Sequence, residues 1–115
     1  MNPEEIYSFC MGLPHAEEAF PFDENTLVFR IGGKMFAVLP LEKPNLLIVK
    51  CDPVIALELR ERYEGIDAAW HFNKKHWNQI DLSGHIPVDI IKSSIVHSYE
   101  LVKSKLHKKI KNQLK

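Results

Sequence analysis

The spacing of apolar residues predicts a helix at each end of the chain. Apolar side chains recur at helical intervals over residues 6–13, after an Asn2-Pro3 pair that is typical of a helix start. A second apolar stripe recurs every three or four residues over 91–110, after Pro87. We therefore expect a short amphipathic first helix and a long last helix that continues into the lysine-rich tail.

Two apolar runs, residues 26–31 and 34–39, flank Gly32-Gly33 and predict a β-hairpin. A glycine pair can supply the positive φ angles of a two-residue turn, and this loop length sets how the two strands pair. The expected register would place both phenylalanines of the hairpin on the core face of the sheet. The expected pairs are Ile31 with Lys34, Phe29 with Phe36, and Leu27 with Val38.

The middle of the chain predicts a buried strand followed at once by a helix. Residues 46–50 are nearly all aliphatic, which is typical of a strand that is buried on both faces. Asp52 and Pro53 then supply a helix cap and a first helical residue, and Gly65 ends the helix. Residues 77–82 alternate in polarity and predict another strand. Together these elements predict an α+β domain with a mainly antiparallel sheet, covered by an N-terminal, a middle and a long C-terminal helix.

The composition is that of an ordinary globular domain without a strong overall charge. The 115 residues are 45% hydrophobic and 26% charged, which predicts one domain over residues 1–115. Fifteen acidic and fifteen basic side chains balance, so any attraction for nucleic acid must be local. The two cysteines lack disulfide or zinc spacing, the N-terminus is acidic, and no long apolar run occurs. These features predict a cytoplasmic protein with no membrane partner.

The sequence contains no motif for catalysis, cofactor binding or metal binding. It has no GxSxG elbow, phosphate-binding loop or dinucleotide fingerprint, and its six histidines are not spaced as metal ligands. Cys10 and Cys51 are expected to be buried structural residues. We therefore expect no enzyme activity, no cofactor and no metal, unless folding assembles a cleft from His71, His76 and Asp52.

The segment from Trp70 to Asn78 is the main candidate for function, because it combines both tryptophans with a lysine pair and amide side chains. The lysines would contact phosphates, one of the tryptophans would stack on a base or sugar, and the amide and imidazole groups would donate hydrogen bonds. In the alternative, Trp77 anchors the core, Asn73 forms a turn and the lysines are simply solvated. The candidate contact residues are Asn73, Lys74, Lys75, His76, Trp77 and Asn78.

The tail beyond residue 101 is basic, with six lysines and no acidic residue. Lys108 and Lys109 are its expected nucleic-acid contacts. Two other roles stay open for the tail: attachment to a membrane surface, or a solvated helix end whose lysines complement the helix dipole. Membrane attachment is the weaker of the two, since no aromatic residue follows Tyr99 to anchor the tail in the interface.

Four stretches of the sequence together resemble the MmcQ/YjbR family. The stretches are Lys50-Cys51-Asp52-Pro53, Tyr63-Glu64-Gly65-Ile66, His71-Phe72-Asn73-Lys74-Lys75-His76-Trp77-Asn78 and Ser98-Tyr99-Glu100-Leu101-Val102. The resemblance implies an α+β fold similar to that of frataxin, and a DNA-binding role through a double-wing arrangement. The alternative to DNA is a protein or small ligand that binds the aromatic and amide surface of the same segment.

Overall fold

The computed structural model describes residues 1–114 as a six-stranded antiparallel sheet with four helices. The helices are α1 (Pro3–Met11), α2 (Pro53–Arg62), α3 (Val88–Ser104) and α4 (Lys108–Gln113). The strands are β1 (Glu17–Ala19), β2 (Thr26–Ile31), β3 (Lys34–Pro40), β4 (Leu46–Lys50), β5 (Ile66–Ala68) and β6 (Trp77–Asp81). The strands lie in the order β1-β2-β3-β4-β6-β5. The predicted α+β class is confirmed, and β1 is a strand that the sequence pattern did not predict.

Both predicted helix caps are confirmed. The Asn2 side chain accepts a hydrogen bond from the N–H of Glu5 at 2.8 Å, and the Glu5 carboxylate accepts one from the N–H of Asn2 at 3.0 Å. At α2 the Asp52 carboxylate accepts hydrogen bonds from the N–H groups of Val54 and Ile55. These bonds satisfy donors that the first helical turn leaves free, so both helices begin where the sequence predicts.

The hairpin of β2 and β3 has a different register from the predicted one. Its turn is as expected, with Ile31 opposite Lys34, but a β-bulge then shifts the pairing by one residue. The predicted pairs of Phe29 with Phe36 and of Leu27 with Val38 are therefore wrong. The observed pairs are Phe29 with Ala37, Val28 with Val38, and Leu27 with Leu39.

The extra residue of this bulge is Phe36, which has no partner directly opposite it on β2. Its ring packs edge-on against that of Tyr99 in α3, with 5.3 Å between the ring centroids, and its carbonyl accepts a hydrogen bond from the Ser98 hydroxyl. The bulge lets Phe36 and the next residue, Ala37, both be buried under the helices. The hairpin sequence could not reveal this register, because the packing partner lies far along the chain.

The predicted last helix is broken into α3 and α4. The chain leaves the helix at Lys105, and α4 begins after His107, whose side chain accepts a hydrogen bond from the N–H of Lys109. The break lets Leu106 and Ile110 close over Gly32 in the hairpin turn. Gly32 has a φ of +57°, which favours glycine, and a Cβ there would lie only 2.7 Å from a methyl carbon of Leu106, so a larger residue would displace this contact.

The two faces of the sheet are covered unequally. On one side, here called the covered face, α1 and α3 pack on the larger core, whose fully enclosed members include Phe29, Phe36 and Ile95. The opposite side, here called the open face, carries a smaller apolar cluster. That cluster consists of Val28, Val38, Ile48, Ala69 and Trp77, with Met35, Leu46 and Phe72 packed against it. Within residues 1–114, no helix has both the length and the apolar character needed to cross a membrane.

Candidate functional site

The loop between β5 and β6, residues 69–76, carries four of the eight predicted contact residues. Asn73 organises its turn, because the side-chain oxygen of Asn73 accepts a hydrogen bond from the N–H of Lys75 at 3.0 Å. The carbonyl of Asn73 also accepts hydrogen bonds from the N–H groups of His76 and Trp77, at 3.1 and 2.9 Å. The turn role considered for Asn73 is therefore present, and it leaves the neighbouring lysines exposed to solvent.

Two contacts from other segments hold this loop in place. Arg60 of α2 donates one hydrogen bond from its guanidinium to the carbonyl of Lys74 and another, at 2.7 Å, to the side-chain oxygen of Asn78. The N–H of Cys51, just after β4, donates to the carbonyl of His76 at 2.7 Å. Sequence reasoning missed Arg60, since nothing in the pattern of α2 marks one arginine as the partner of a distant loop.

The two tryptophans have different environments. Trp70 is 67% exposed, and the Lys74 ammonium lies 4.4 Å from the centre of its ring in a cation–π contact. Trp77 is only 8% exposed, packs against Phe72, and belongs to the open-face cluster. Asn78 is 1% exposed. Burial therefore removes Trp77 and Asn78 from the predicted contact set, and Trp70 is the tryptophan that is free to stack on a partner.

Strand pairing gathers lysines from separate segments at one end of the sheet, here called the basic end. Lys50, the last residue of β4, pairs with Trp77, the first residue of β6. Lys34 begins β3 at the hairpin turn, and Lys105 follows α3. All four side chains line one cavity, although they are widely separated in the sequence. No sequence pattern joins these three lysines, because only the packing of the strands and of α3 brings them together.

The tail lysines also lie at the basic end. The contact of Ile110 with Gly32 packs α4 against the hairpin turn. Lys108 and Lys109 are exposed on this short helix. Lys74 and Lys75 lie just before β6 and so lie at the same end of the sheet. The fold therefore brings both predicted basic segments to one end of the molecule.

Acidic side chains are concentrated at the opposite end of the sheet. That end includes Asp23 and Glu24 before β2, Glu42 after β3, and Asp81 at the end of β6, and it also carries Lys43. Near the basic end, the Asp52 carboxylate is engaged in capping α2, and Glu17 lies opposite Arg30 at the far edge of the sheet. Because the chain has no net charge, any attraction for an anion depends on such local groups.

Lys50 is the residue at which the lysine charges interact most clearly. Its partial burial lowers the pKa of its ammonium group, and the positive charges of Lys105 and Lys34 lower that pKa further. The backbone N–H of Lys50 donates a hydrogen bond at 2.9 Å to the hydroxyl of Ser98 in α3, which fixes the end of β4. The basic end thus has one partly buried lysine as well as exposed lysines.

A second concave region lies on the open face. It is a cavity of about 580 Å³ between the 69–76 loop and the loops at the acidic end. Its apolar surface includes Val38, Ile48 and Phe72, and Trp70, His71 and Lys43 contribute to its rim. A cavity of this size and character is typical of a small-molecule site.

Of the three residues considered for a catalytic cleft, His71 lines the open-face cavity, and His76 and Asp52 are not among the residues that line it. The prediction that both cysteines are buried is confirmed, and burial raises the pKa of Cys10 to about 12 and that of Cys51 to about 11. Both thiols are therefore protonated at neutral pH. In the part of the chain that is described, no three His, Cys, Asp or Glu side chains lie close enough together to hold a metal ion.

Comparisons with known sequences place the chain among uncharacterised relatives. The family model named YjbR matches residues 11–101. The chain is 31% identical over 107 residues to the uncharacterized protein YbdF of Escherichia coli O157:H7. This alignment covers 92% of this chain and 88% of that protein. It is 27% identical over 101 residues to the uncharacterized protein YjbR of Escherichia coli K12, covering 87% of this chain and 86% of that protein.

Two solved structures have the same fold. The crystal structure of the Deinococcus radiodurans protein DR2400, with a DUF419 domain, has a TM-score of 0.89 and 36% identity, covering 96% of this chain and 86% of that chain. A crystal structure of a Pseudomonas syringae protein has a TM-score of 0.74 and 26% identity, covering 89% of this chain and 99% of that chain. From these matches and the long match to the family model, the chain belongs to the YjbR family.

Proposed function

We propose that this protein binds DNA weakly through its basic end. The observation that carries the proposal is the convergence of lysines from the 69–76 loop and from α4 at one end of a sheet whose other end is acidic. A duplex backbone is a dense line of negative charge, and a local cluster of lysines attracts it even when the whole protein is neutral. The relatives named above are uncharacterised and do not decide the question.

In this proposal the phosphates contact Lys74 and Lys75, with Lys108 and Lys109 extending the surface. Trp70 is the stacking residue, because its ring is exposed beside the Lys74 ammonium. Asn73 and His76 flank the lysine pair and supply hydrogen-bond donors. Contacts of this kind position a backbone and carry little sequence information, so the expected binding has weak sequence preference.

The test is a titration of duplex DNA at several salt concentrations with the wild type and the Lys74→Ala/Lys75→Ala variant. The logarithm of the binding constant should fall linearly with the logarithm of the salt concentration, because binding releases counterions. Each lost phosphate contact reduces this slope by about 0.9, so the double variant should have a slope shallower by about 2. The matched control is Lys92→Ala, which removes an exposed lysine near the start of α3, away from the basic end and from the open-face cavity, and should leave the slope unchanged.

Two results would contradict the proposal. One is an affinity for DNA that stays undetectable even at low salt. The other is a slope that falls equally in the Lys92→Ala control, since binding would then reflect total charge and not the basic end. Folding of each variant is checked by circular dichroism, and the lysines concerned are exposed, so their replacement should leave the fold intact.

A second candidate function is the binding of a small ligand in the open-face cavity. The observation that favours it is the cavity of about 580 Å³ with an apolar surface and the exposed Trp70 at its rim. A ligand in this cavity should shift the tryptophan fluorescence in a manner that does not depend on salt. Replacing Trp70 with Phe should abolish most of that shift, whereas DNA binding through phosphates should keep its salt dependence in the same variant.

A further inference from the structure

A cavity of about 300 Å³ lies at the basic end, lined by a different set of residues from the cavity on the open face. It is lined by three lysines and three apolar side chains, which are Lys34, Lys50, Lys105, Met35, Trp77 and Val102. The lysines come from the hairpin turn, the end of a strand and the end of a helix. No motif in the sequence joins them, and only the fold creates the site.

The gathering of these charges is unfavourable in the free protein. Three ammonium groups around one cavity repel one another, and partial burial of Lys50 removes part of the water that would screen the repulsion. The lowered pKa of Lys50, caused by its burial and then by Lys105 and Lys34, reflects this cost. The dipole of α3 favours a positive charge at the C-terminal end of the helix and therefore stabilises Lys105. It does not account for Lys34 and Lys50, because these two lysines lie on strands.

The spacing of the site is held by buried hydrogen bonds. Ser98 in α3 is fully buried, and its hydroxyl accepts a hydrogen bond from the N–H of Lys50 and donates one to the carbonyl of Phe36. One side chain thus joins α3 to the two strands that carry Lys34 and Lys50. The backbone of the site is therefore held in place before a ligand binds, which lowers the entropy cost of binding.

We propose that this cavity binds a phosphate monoester, whose dianion contacts Lys34, Lys50 and Lys105 and whose organic group packs against the apolar side chains. Three cationic groups suit a dianion better than an internal phosphodiester, which carries a single charge. The cavity volume is at the small end for ligand sites, so it suits a phosphate with a small organic group. This inference goes beyond the proposed function, because it needs no duplex and no contact from the 69–76 loop.

The test uses the Trp70→Phe variant, in which Trp77 in the cavity wall is the remaining tryptophan. Ribose 5-phosphate is the probe, because it has no ring that absorbs at the wavelengths used for tryptophan. It should change the Trp77 fluorescence in a saturable manner at constant ionic strength, whereas ribose with added sodium chloride should not. Bound ribose 5-phosphate should also raise the pKa of the Lys50 ammonium, because the anion favours its charged form, and NMR measures this pKa with and without the probe.

The lysines are tested in the same background with the Lys34→Gln/Lys105→Gln variant. Both residues are exposed, so the fold should be kept, and the affinity for ribose 5-phosphate should fall about tenfold or more, as expected for the loss of charge-assisted hydrogen bonds. Lys43→Gln is the matched control and should bind as before. Unchanged binding by the double variant, or the absence of saturable binding in the parent, would overturn the inference.

The source of the ester is decided by competition with short single DNA strands that either carry or lack a 5′-phosphate. Competition by the phosphorylated strand alone identifies strand ends as ligands, and competition by neither strand identifies a free phosphorylated small molecule. Equal competition by both strands would overturn the preference for a monoester. The competition is run with Lys74 and Lys75 also replaced by alanine, so that DNA bound at the 69–76 loop does not act as a competitor, and a failure here is separable from a failure of the proposed DNA binding.

Discussion

The covered face and the open face belong to the same sheet but differ in how completely they are closed. On the covered face, Phe36 is fully buried and packs edge-on against Tyr99. On the open face, Ile48 is 7% exposed and borders a cavity of about 580 Å³. The difference indicates that packing under the helices supplies most of the stability, whereas the open face and the loop beside it are available for binding.

The largest expected effect is on the covered face. Phe36→Ala should lower the free energy of unfolding by about 3–5 kcal/mol, because it leaves a cavity beside Tyr99 that the helices cannot fill. Urea denaturation measures the loss. Phe22→Ala is the control, since Phe22 is 62% exposed and its removal should change stability by no more than about 0.5 kcal/mol. A loss at Phe36 no larger than that of the control would contradict the unequal closure of the two faces.

A smaller effect is expected on the open face. Ile48→Ala should lower the free energy of unfolding by about 2 kcal/mol, at the low end for an isoleucine, because the side chain already borders a cavity that is open to solvent. The measurement is the same urea denaturation. A loss as large as that of Phe36→Ala would show that the two faces are equally closed and would contradict the difference between them.

The loop beside the open face should depend on one arginine. Arg60→Ala should cost about 1.5 kcal/mol, because it removes the donor to the Lys74 carbonyl and leaves the buried Asn78 oxygen without that partner. Hydrogen exchange at the amides of His76 and Trp77 should become faster. The neighbouring Arg62→Ala is the control, because Arg62 is exposed and should affect neither measurement.

The smallest expected effect is a change in the pKa of Lys50 at the basic end. Lys105→Gln should raise the pKa of Lys50 toward its ordinary value of 10.5, although not fully, because burial is the larger cause of the lowering. An NMR titration of the Lys50 ammonium measures this pKa, and Lys108→Gln is the control with no expected change. An unchanged pKa of Lys50 in Lys105→Gln would show that the two charges do not interact.

The same lowering of the Lys50 pKa has a consequence for stability. Between the pKa of Lys50 in the folded chain and 10.5, the Lys50 group binds more protons in the unfolded chain than in the folded chain, so its own contribution to stability should rise with pH. The raised pKa values of Cys10 and Cys51 act in the opposite direction and are common to the wild type and the variant, so the difference between the two proteins isolates the Lys50 contribution. The rise should be smaller in Lys105→Gln, since the folded and unfolded pKa values are then closer. Thermal unfolding measured at several alkaline pH values, in the wild type and the variant, checks this sign.

Local signals predicted much of the fold. The Asn2 and Asp52 caps, the Gly32-Gly33 turn and the strand over residues 46–50 form where the sequence indicates. Each depends on neighbouring residues, such as a side chain that reaches an adjacent N–H group or a turn that needs positive φ. The two errors have a different origin. The bulge at Phe36 and the helix break at Lys105 depend on packing between segments that are distant in the sequence.

The candidate site shows the same division. The sequence identified Lys74 and Lys75 as charges that must face water, and it left Trp77 undecided between core and surface. The pairing of β6 with β4 and β5 decided that Trp77 is buried and Trp70 exposed. Only the packing of α2 beside the loop shows that Arg60 donates a hydrogen bond to the loop backbone.

By itself the sequence determined the α+β class, the helix starts, the hairpin turn and the presence of two basic segments, because these follow from periodicity and from the chemistry of adjacent residues. Only the tertiary structure decided which tryptophan is exposed, where the last helix breaks, and that Lys34, Lys50 and Lys105 share one cavity. The physical reason is that burial and charge clustering are properties of surfaces formed by distant segments, and the order of the strands decides which segments meet.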